Sequence, residues 1–358
     1  MVTCEPLYRA EKLPIFQNRI FHSEEDARNC ATGDVILGQH PETGLIFNQA
    51  FCPELVHYDA DYQNEQGLSS VFQAHLRDVS KIVLKHFRGL SLIEVGCGKG
   101  HFLEALQVAG FQVTGLDPAY EGSNPSIIKE YFSAEVGLRG DGIILRHVLE
   151  HIQDPIAFLS TICEANGGKG KVYIEVPCLD WICAHRAWFD IFYEHVNYFR
   201  LSDFHRMFGI VEEAGRIFNG QYLYVVADLA TLRAPVLGEA ARFEFPPGFP
   251  EGVNRYAGRL TTRRGPPATI WGAASKGVIF ALFMERAGVP AGMVIDINPA
   301  KQGKFLPVTG LRVQSPETAL KALTPGTEIF VMNGNYLDEV RTLTGNRFHY
   351  VTVDHEDI

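Results

Sequence analysis

Residues 91–106 read SLIEVGCGKGHFLEAL, and the fold can be predicted from this stretch outward. The apolar residues before Gly96 predict a buried strand, and HFLEAL after Gly100 predicts the start of a helix. Between them, Gly96, Gly98 and Gly100 carry no side chains, so the backbone of the turn can pass close to a ligand at the helix N-terminus. A strand, a glycine turn and a helix in this order predict a ligand site in a parallel α/β sheet.

The next strand supplies an acidic residue in register with this turn. FQVTGLD ends at Asp117, where a carboxylate can accept hydrogen bonds from both hydroxyls of an adenosine ribose. We therefore predict a nucleoside cofactor. Enzymes that bind dinucleotides use the related pattern G-x-G-x-x-G, but here Gly100 follows Gly98 by two positions rather than three, so NAD is the less favoured alternative.

Three motifs around this turn resemble those of class I methyltransferases. EVGCGKG and LDP, at 94–100 and 116–118, are similar to the first two motifs, and GIIL at 142–145 followed by RHVLEH is similar to the third. The resemblance implies S-adenosylmethionine as cofactor, with the acidic residue before the first glycine facing its methionine end. The residues predicted to bind the cofactor are Glu94, Gly96, Cys97, Gly98, Gly100, Asp117, Pro118, Arg146 and His147.

The strand-turn-helix pattern recurs along the chain and predicts its domain organisation. Residues 1–66 are irregular and predict a small N-terminal accessory domain, whereas 67–232 alternate between strand and helix patterns. Residues 233–265 predict a linker with a helix around 251–264, and 266–358 repeat the strand-turn-helix pattern. We predict an α/β fold with a central Rossmann-like class I methyltransferase sheet and a second, smaller C-terminal α/β domain.

Composition excludes several classes of function. The formal net charge of −10 and a pI near 5.7 argue against nucleic-acid binding, which needs clustered Lys and Arg. No stretch is long and apolar enough to predict a membrane span, and the start of the chain is too polar for a secretory signal, so we expect a cytoplasmic protein. The seven cysteines are never spaced as C-x-x-C, which predicts reduced thiols.

An aromatic-rich segment after a predicted strand is the candidate catalytic region. The strand KVYIEVP is followed at 188–199 by WFDIFYEHVNYF, which places Tyr193, Glu194 and His195 near the carboxyl edge of the sheet, where ligands bind. An imidazole titrates near neutrality, and a carboxylate beside it can orient it as a general base. A buried structural histidine remains the alternative interpretation of His195.

Almost the whole chain resembles the deoxysugar C-methyltransferase family. The matching segments are EVGCGKG, HVLEHIQD, IEVP, FDIFYEHVNYF, WGAASKG and DINPAKQG. The resemblance implies a zinc-binding N-terminal domain, a methyltransferase domain and a C-terminal α/β domain. It also implies His195 as the base with Glu194 beside it, His151 as a second active-site histidine and Tyr62 as an active-site tyrosine.

The chain departs from this family at the implied zinc site. The two cysteine pairs of the family fall on Cys4 with Leu7 and on His40 with Thr43. A structural zinc site needs four nitrogen or sulfur ligands, so we predict no metal unless Cys30 or Cys52 substitutes.

The resemblance implies C-methylation of a keto-deoxysugar nucleotide or a related metabolite. His195 would take a proton from the carbon next to a carbonyl, Glu194 would hold the imidazole, and Tyr193, Tyr62 or His151 would stabilise the enolate oxygen. The same residues suit O- or N-methylation of a small biosynthetic intermediate, which is the first alternative. A non-catalytic S-adenosylmethionine-binding module is the second.

The C-terminal domain contributes the predicted substrate contacts. GAASKG at 272–277 places small residues at a strand-helix turn, where Lys276 could reach a phosphate, although a solvated lysine on a packing turn is the simpler interpretation. The family resemblance implies that this domain closes over a carrier nucleotide. Asn219 and Asn335 are the other predicted substrate-binding residues, and Asp296 is a weaker candidate for the same wall.

Overall fold

The computed structural model describes residues 4–58, 61–63, 66–262 and 266–354. The N-terminal part is a small antiparallel sheet in which each strand alternates buried and exposed side chains. A short helix with Ser23 as its N-cap follows the first strand. Its elements are β1 (Pro6–Pro14), α1 (Glu24–Arg28), β2 (Thr32–Gln39) and β3 (Ile46–Asn48).

The central part alternates strands and helices as the sequence predicts. The strands at 91–95, 142–146 and 171–177 are rich in Ile, Val and Leu and are buried on both faces, as expected for a sheet covered by helices. The elements in chain order are α2 (Ser70–Phe87), β4 (Ser91–Val95), α3 (His101–Val108), β5 (Gln112–Leu116), β6 (Ile127–Ile128), β7 (Gly142–Arg146), α4 (Pro155–Ala165), β8 (Lys171–Pro177), α5 (Leu179–Ala184), β9 (Asn197–Tyr198), α6 (Leu201–Met207), β10 (Val211–Ile217) and β11 (Tyr222–Asp228).

The central sheet has the strand order β10-β11-β8-β7-β4-β5-β6. Strands β8, β7, β4, β5 and β6 run parallel, and β11 joins β8 in an antiparallel pairing. The chain turns to opposite sides after β4 and β7, so a crevice opens at the carboxyl ends of these two neighbours. The predicted α/β class with a mostly parallel, Rossmann-like central sheet is confirmed.

Strand β9 lies between strands of the central sheet along the chain, but it belongs to the N-terminal sheet, whose order is β1-β2-β3-β9. Ile46 pairs with Tyr198 and Phe47 with Asn197, and the backbone N–H of Asn48 donates to the carbonyl of Val196 at 2.7 Å. The accessory sheet is therefore built onto the chain that directly follows His195. The sequence did not predict this pairing.

The C-terminal part is a second, fully parallel sheet of order β14-β13-β12-β15-β16. The linker helix α7 (Gly252–Thr262) precedes it, and the last two positions predicted for that helix, 263 and 264, lie outside the described residues. The elements are β12 (Thr269–Trp271), α8 (Ser275–Arg286), β13 (Met293–Ile295), β14 (Val313–Gln314), α9 (Pro316–Ala322), β15 (Glu328–Val331), α10 (Leu337–Leu343) and β16 (His349–Thr352). Within the described ranges, no helix is long and apolar enough to cross a bilayer.

Candidate cofactor and acceptor site

The glycine turn after β4 has the backbone geometry that its sequence predicts. Gly96, Gly98 and Gly100 all have positive φ, at 71°, 55° and 82°. A Cβ on Gly96 would stand 2.5 Å from the side chain of Val148, and one on Gly100 would stand 2.5 Å from Ile127. The Cys97 side chain is buried in the core. This turn therefore presents its backbone at the start of α3.

Both carboxylate oxygens of Asp117 accept backbone N–H groups, and one of these donors belongs to the glycine turn. Oδ2 accepts the N–H of Gly98 at 2.8 Å, and Oδ1 accepts the N–H of Ala119, just beyond Pro118, at 2.9 Å. Burial raises the pKa of Asp117, and the two backbone donors oppose that rise. A carboxylate held in this way keeps lone pairs for the hydroxyls of a ribose.

Glu94 is the last residue but one of β4, and Arg146 is the last residue of the neighbouring strand β7. Burial raises the pKa of Glu94 to about 8, and nearby Arg146 only partly offsets that rise. The guanidinium of Arg146 lies over the ring of Phe102 and donates to Oε1 of Glu175 at 3.3 Å. Glu94 is thus a buried and largely protonated acid. Within the described residues, its Oε2 has no hydrogen-bond partner. Such a group suits a cationic ligand that would draw the proton off.

His147 connects this cofactor edge with the interior. Its Nε2 lies 3.1 Å from Oε1 of Glu175, and its Nδ1 lies 3.4 Å from Oε1 of Glu150. Burial lowers the pKa of His147, but the two carboxylates outweigh burial and raise it to about 9. Its backbone has φ of 54°, an uncommon conformation for a residue with a side chain. The imidazolium therefore bridges two carboxylates at the end of β7.

A cavity of about 270 Å³ lies where the carboxyl edges of the two sheets meet. From the central part, it is lined by His147, Glu150, His151, Asp190 and His195. The N-terminal part contributes Asn18 and Tyr62. The C-terminal part contributes residues that follow strands β12, β13 and β15, including Gly272, Lys276, Asp296, Asn298, Lys301 and Asn333. Sequence segments from all three parts of the chain therefore enclose one volume.

His195 lines this cavity as a neutral imidazole. Burial lowers its pKa well below the usual value, and the nearby His151 and His147 lower it further. Its ring packs 4.0 Å from that of Phe192 and 4.9 Å from that of His151, measured between centroids. Within the described residues, Nδ1 of His195 has no hydrogen-bond partner. A neutral ring with an open nitrogen can accept a proton or bind a cation.

Glu194 does not hold the imidazole of His195, contrary to the sequence-based expectation. Its Oε2 accepts the hydroxyl of Tyr62 at 2.7 Å, and its Oε1 accepts the N–H of Gln17 at 2.7 Å. The carbonyl of Glu194, rather than its carboxylate, approaches Nδ1 of His151 at 2.9 Å. In an irregular segment, consecutive side chains point in different directions, so Glu194 anchors the N-terminal part while His195 faces the cavity.

Tyr193 does not line the cavity either. Its hydroxyl accepts the N–H of Cys52 at 2.9 Å, and its ring packs against Phe51 and Gly33. The tyrosine predicted to stabilise an enolate oxygen is therefore part of the interface between the N-terminal sheet and the segment that carries His195. Tyr62 does line the cavity, but it donates its hydroxyl to Glu194.

Of the three residues predicted to bind the substrate, one lines the cavity and two do not. Lys276 lines the cavity, with Nζ 3.3 Å from Oδ2 of Asp190 and 4.5 Å from the centroid of the Trp181 ring. Asn219 and Asn335 bond to each other at 2.6 Å and do not line this cavity. Its wall instead carries Asn333 and Gln221, which are joined at 2.9 Å.

Sequence reasoning missed two acidic residues of this site and ranked a third too low. Glu150 follows β7, and Asp190 pairs with Lys276 of helix α8 in the C-terminal part. Asp296 was a weak candidate, yet its Oδ2 accepts the N–H of Ala273 at 2.7 Å and its Oδ1 accepts that of Asn298 at 2.8 Å. Asp117 accepts an equivalent pair of backbone N–H groups. In each sheet, an aspartate directly after the strand that follows the glycine turn and its helix could therefore have been recognised from the sequence as a ligand-binding residue.

The residues aligned with the family's zinc ligands do not form a fitting site. Leu7 and Thr43 offer no nitrogen or sulfur ligand, and Nδ1 of His40 accepts the backbone N–H groups of Glu42 and Thr43. In the part of the chain that is described, the groups with metal-ligand spacing contain neither Cys30 nor Cys52. The absence of zinc remains a prediction.

Residues 68–215 match the family model of a methyltransferase domain. The central part is an S-adenosylmethionine-dependent methyltransferase domain, and its strand order and glycine turn agree with that assignment. The predicted cofactor is thereby confirmed.

Two methyltransferases of named activity are similar to parts of the chain. A ubiquinone biosynthesis O-methyltransferase of Methylobacterium nodulans is 35% identical over 95 residues, which are 21% of this chain and 36% of the relative. The C-methyltransferase NovU of Streptomyces niveus is 26% identical over 267 residues, 64% of this chain and 63% of NovU. The chain thus spans less than two thirds of either relative.

Among solved structures, a Burkholderia thailandensis 1,6-didemethyltoxoflavin-N1-methyltransferase with bound S-adenosylhomocysteine is 17% identical, with a TM-score of 0.34. The similarity covers 44% of this chain and 80% of that enzyme.

Proposed function

We propose that this protein methylates a small molecule with S-adenosylmethionine as donor, and that the acceptor binds in the cavity between the central and C-terminal sheets. The observation that carries the proposal is the neutral His195 in the cavity wall, on the same sheet edge as the glycine turn and Asp117. Glu94, Arg146, Glu175 and His147 link the two sites through adjoining side chains.

C-methylation of a keto-deoxysugar nucleotide, or of a related metabolite, is the specific reaction we favour. A carbonyl beside the target carbon acidifies its C–H bond, His195 accepts the proton, and the enolate carbon attacks the sulfonium methyl group, releasing S-adenosylhomocysteine. Because the donor is already activated, positioning supplies much of the rate. The similarity to NovU, which extends well beyond the methyltransferase domain, supports this choice.

O-methylation of a small biosynthetic intermediate is the second candidate. It is favoured by the higher identity to the ubiquinone biosynthesis O-methyltransferase, although that similarity is confined to 95 residues. In this reaction His195 would take the proton of a hydroxyl instead of a C–H bond. N-methylation would use the same cavity.

The C-terminal sheet offers a site for a carrier nucleotide. Gly277 stands so close to the preceding turn that a Cβ would lie 1.8 Å from the carbonyl oxygen of Gly272. The carboxylate of Asp296 is held by two backbone N–H groups as that of Asp117 is, and it lines the cavity. This arrangement suits the hydroxyls of a second ribose. Lys276 is less suited to a phosphate than the sequence suggested, because Asp190 already neutralises it.

Single-turnover methyl transfer from radiolabelled S-adenosylmethionine to a panel of sugar nucleotides tests the proposal. We expect His195→Gln to abolish transfer while S-adenosylhomocysteine still binds. We expect Asp296→Asn to weaken binding of the sugar nucleotide without weakening binding of S-adenosylhomocysteine. Full transfer by His195→Gln would contradict the role of this residue, and the position of the new methyl group, located by NMR, separates C- from O-methylation.

A further inference from the structure

We propose that Glu150, His151 and His195 form a binding site for a divalent first-row transition cation. One ligand atom from each of the three residues lies within 4.8 Å of the other two, and all three side chains line the cavity. Ligand atoms around a cation with bonds of about 2.1 Å stand roughly 3–4 Å apart, so small side-chain rotations complete the site. The sequence predicted no metal here.

Glu150 is a buried carboxylate that lacks a full set of partners. The residue is 1% exposed, and neither oxygen has a hydrogen-bond partner among the described residues. Nδ1 of His147 lies 3.4 Å from Oε1, so the imidazolium compensates part of the charge and leaves Oε2 unpaired. A buried polar oxygen without a partner lowers the stability of the folded chain, at a cost that is larger for a charged group. A cation in the cavity would remove this cost.

His151 is oriented as metal-binding histidines usually are. Its Nδ1 lies 2.9 Å from the carbonyl oxygen of Glu194, with the hydroxyl of Tyr58 at 3.3 Å. A carbonyl only accepts hydrogen bonds, so Nδ1 carries a proton and Nε2 is the nitrogen left to bind a cation. A backbone acceptor on the far nitrogen fixes the tautomer of a ligating imidazole.

A second group with metal-ligand spacing, His75, His147 and Glu175, does not compete for the cation. Glu175 already accepts Arg146 at 3.3 Å, His75 at 2.8 Å and the hydroxyl of Tyr173 at 2.7 Å. Burial raises the pKa of Glu175, but Arg146, His147 and His75 together hold it well below the usual range. A cation there would meet the guanidinium of Arg146, so this group is a closed structural network.

Two imidazoles and one carboxylate favour Zn²⁺, Co²⁺ or Fe²⁺ over Mg²⁺ or Ca²⁺, which prefer oxygen ligands. A neutral imidazole has a single lone pair. Ligation through His195 therefore uses the lone pair that would accept a proton, and, on the basis of the proposed function, the cation should inhibit C-methylation.

Titration of the metal-free protein with Co²⁺ tests the site, because bound Co²⁺ is followed by its visible absorption without any assay of activity. We expect one bound cation per chain, and at least about a hundredfold weaker binding in Glu150→Gln and in His151→Gln. His75→Gln, in the second group, is the matched control and should bind as the unsubstituted protein does. Thermal unfolding and S-adenosylhomocysteine binding confirm that each variant is folded.

Loss of Co²⁺ binding in His75→Gln but not in Glu150→Gln would place the cation in the second group and overturn the proposal, as would the absence of any Co²⁺ band. Methyl transfer is measured separately, with and without Zn²⁺. Stimulation instead of inhibition would support the cation site and overturn the role of His195 as base. Failure to bind S-adenosylhomocysteine would overturn the proposed function and leave the Co²⁺ result intact.

Discussion

At the scale of single side chains, three consecutive residues point to three different surroundings. The ring of Tyr193 packs into the N-terminal sheet, the carboxylate of Glu194 binds Gln17 and Tyr62, and the imidazole of His195 enters the cavity. Their sequence predicted one catalytic cluster. Side-chain directions outside helices and strands depend on contacts with distant segments, which a single sequence does not supply.

The protonation of Glu94 gives a prediction at the same scale. With a pKa of about 8, Glu94 is mostly protonated at pH 7, and the ammonium group of a bound methionine moiety favours its carboxylate form. Binding of S-adenosylhomocysteine at pH 7 should therefore release up to about one proton, and the affinity should rise as the pH is raised toward 8. Calorimetric titration in buffers of different ionisation enthalpy measures this release.

Glu94→Gln is the control for that titration, because an amide cannot release the proton. We expect the observed binding enthalpy of this variant to become independent of the buffer. Proton release of the same size in the variant would assign the effect to another group.

At the scale of elements, strands of the N-terminal sheet support the segment that carries His195. Strand β9 pairs with β3 directly after this segment, and Gly33 in β2 leaves room for the ring of Tyr193. The strand-turn-helix units were predictable because each is encoded within about 20 residues. The β3–β9 pairing was not, since Asn197 and Tyr198 give no local signal of their distant partner.

Gly33→Ala tests this support. The new Cβ would lie 2.3 Å from Cε2 of Tyr193, so the ring and the chain beyond it must shift. We expect a loss of about 1–3 kcal/mol in the free energy of unfolding and a lower rate of methyl transfer. Gly238→Ala is the matched control, because its Cβ would meet none of the described atoms within 4 Å. Equal stability of the two variants in denaturant titrations would show that the N-terminal sheet does not support the segment that carries His195.

At the scale of the whole molecule, the carboxyl ends of the parallel strands of two sheets face one cavity. The sequence predicted both sheets and, by family resemblance, the closure of the C-terminal domain over the substrate. It did not predict the pair between Asp190 and Lys276, which are buried and belong to different parts of the chain. Pairs of this kind depend on how the domains are placed together, and no periodicity encodes that placement.

Lys276→Met should therefore lower the free energy of unfolding by more than the loss of a single surface contact would. It leaves Asp190 buried without its cation, and we expect a destabilisation of about 3–5 kcal/mol in denaturant unfolding. Removing both charges in Asp190→Asn with Lys276→Met should recover much of that loss. A double variant no more stable than Lys276→Met would show that the pair does not connect the two parts.

Calorimetric titration of the purified protein with S-adenosylhomocysteine, beside NAD, tests most directly whether the glycine turn and Asp117 bind the methyl donor. The titration is made for the unsubstituted chain and for Asp117→Asn and Asp296→Asn. We predict that S-adenosylhomocysteine binds the unsubstituted protein and Asp296→Asn alike, and binds Asp117→Asn much more weakly, because only Asp117 lies at the glycine turn of the methyltransferase domain. Binding of NAD alone, or equal binding of S-adenosylhomocysteine by Asp117→Asn, would contradict the account.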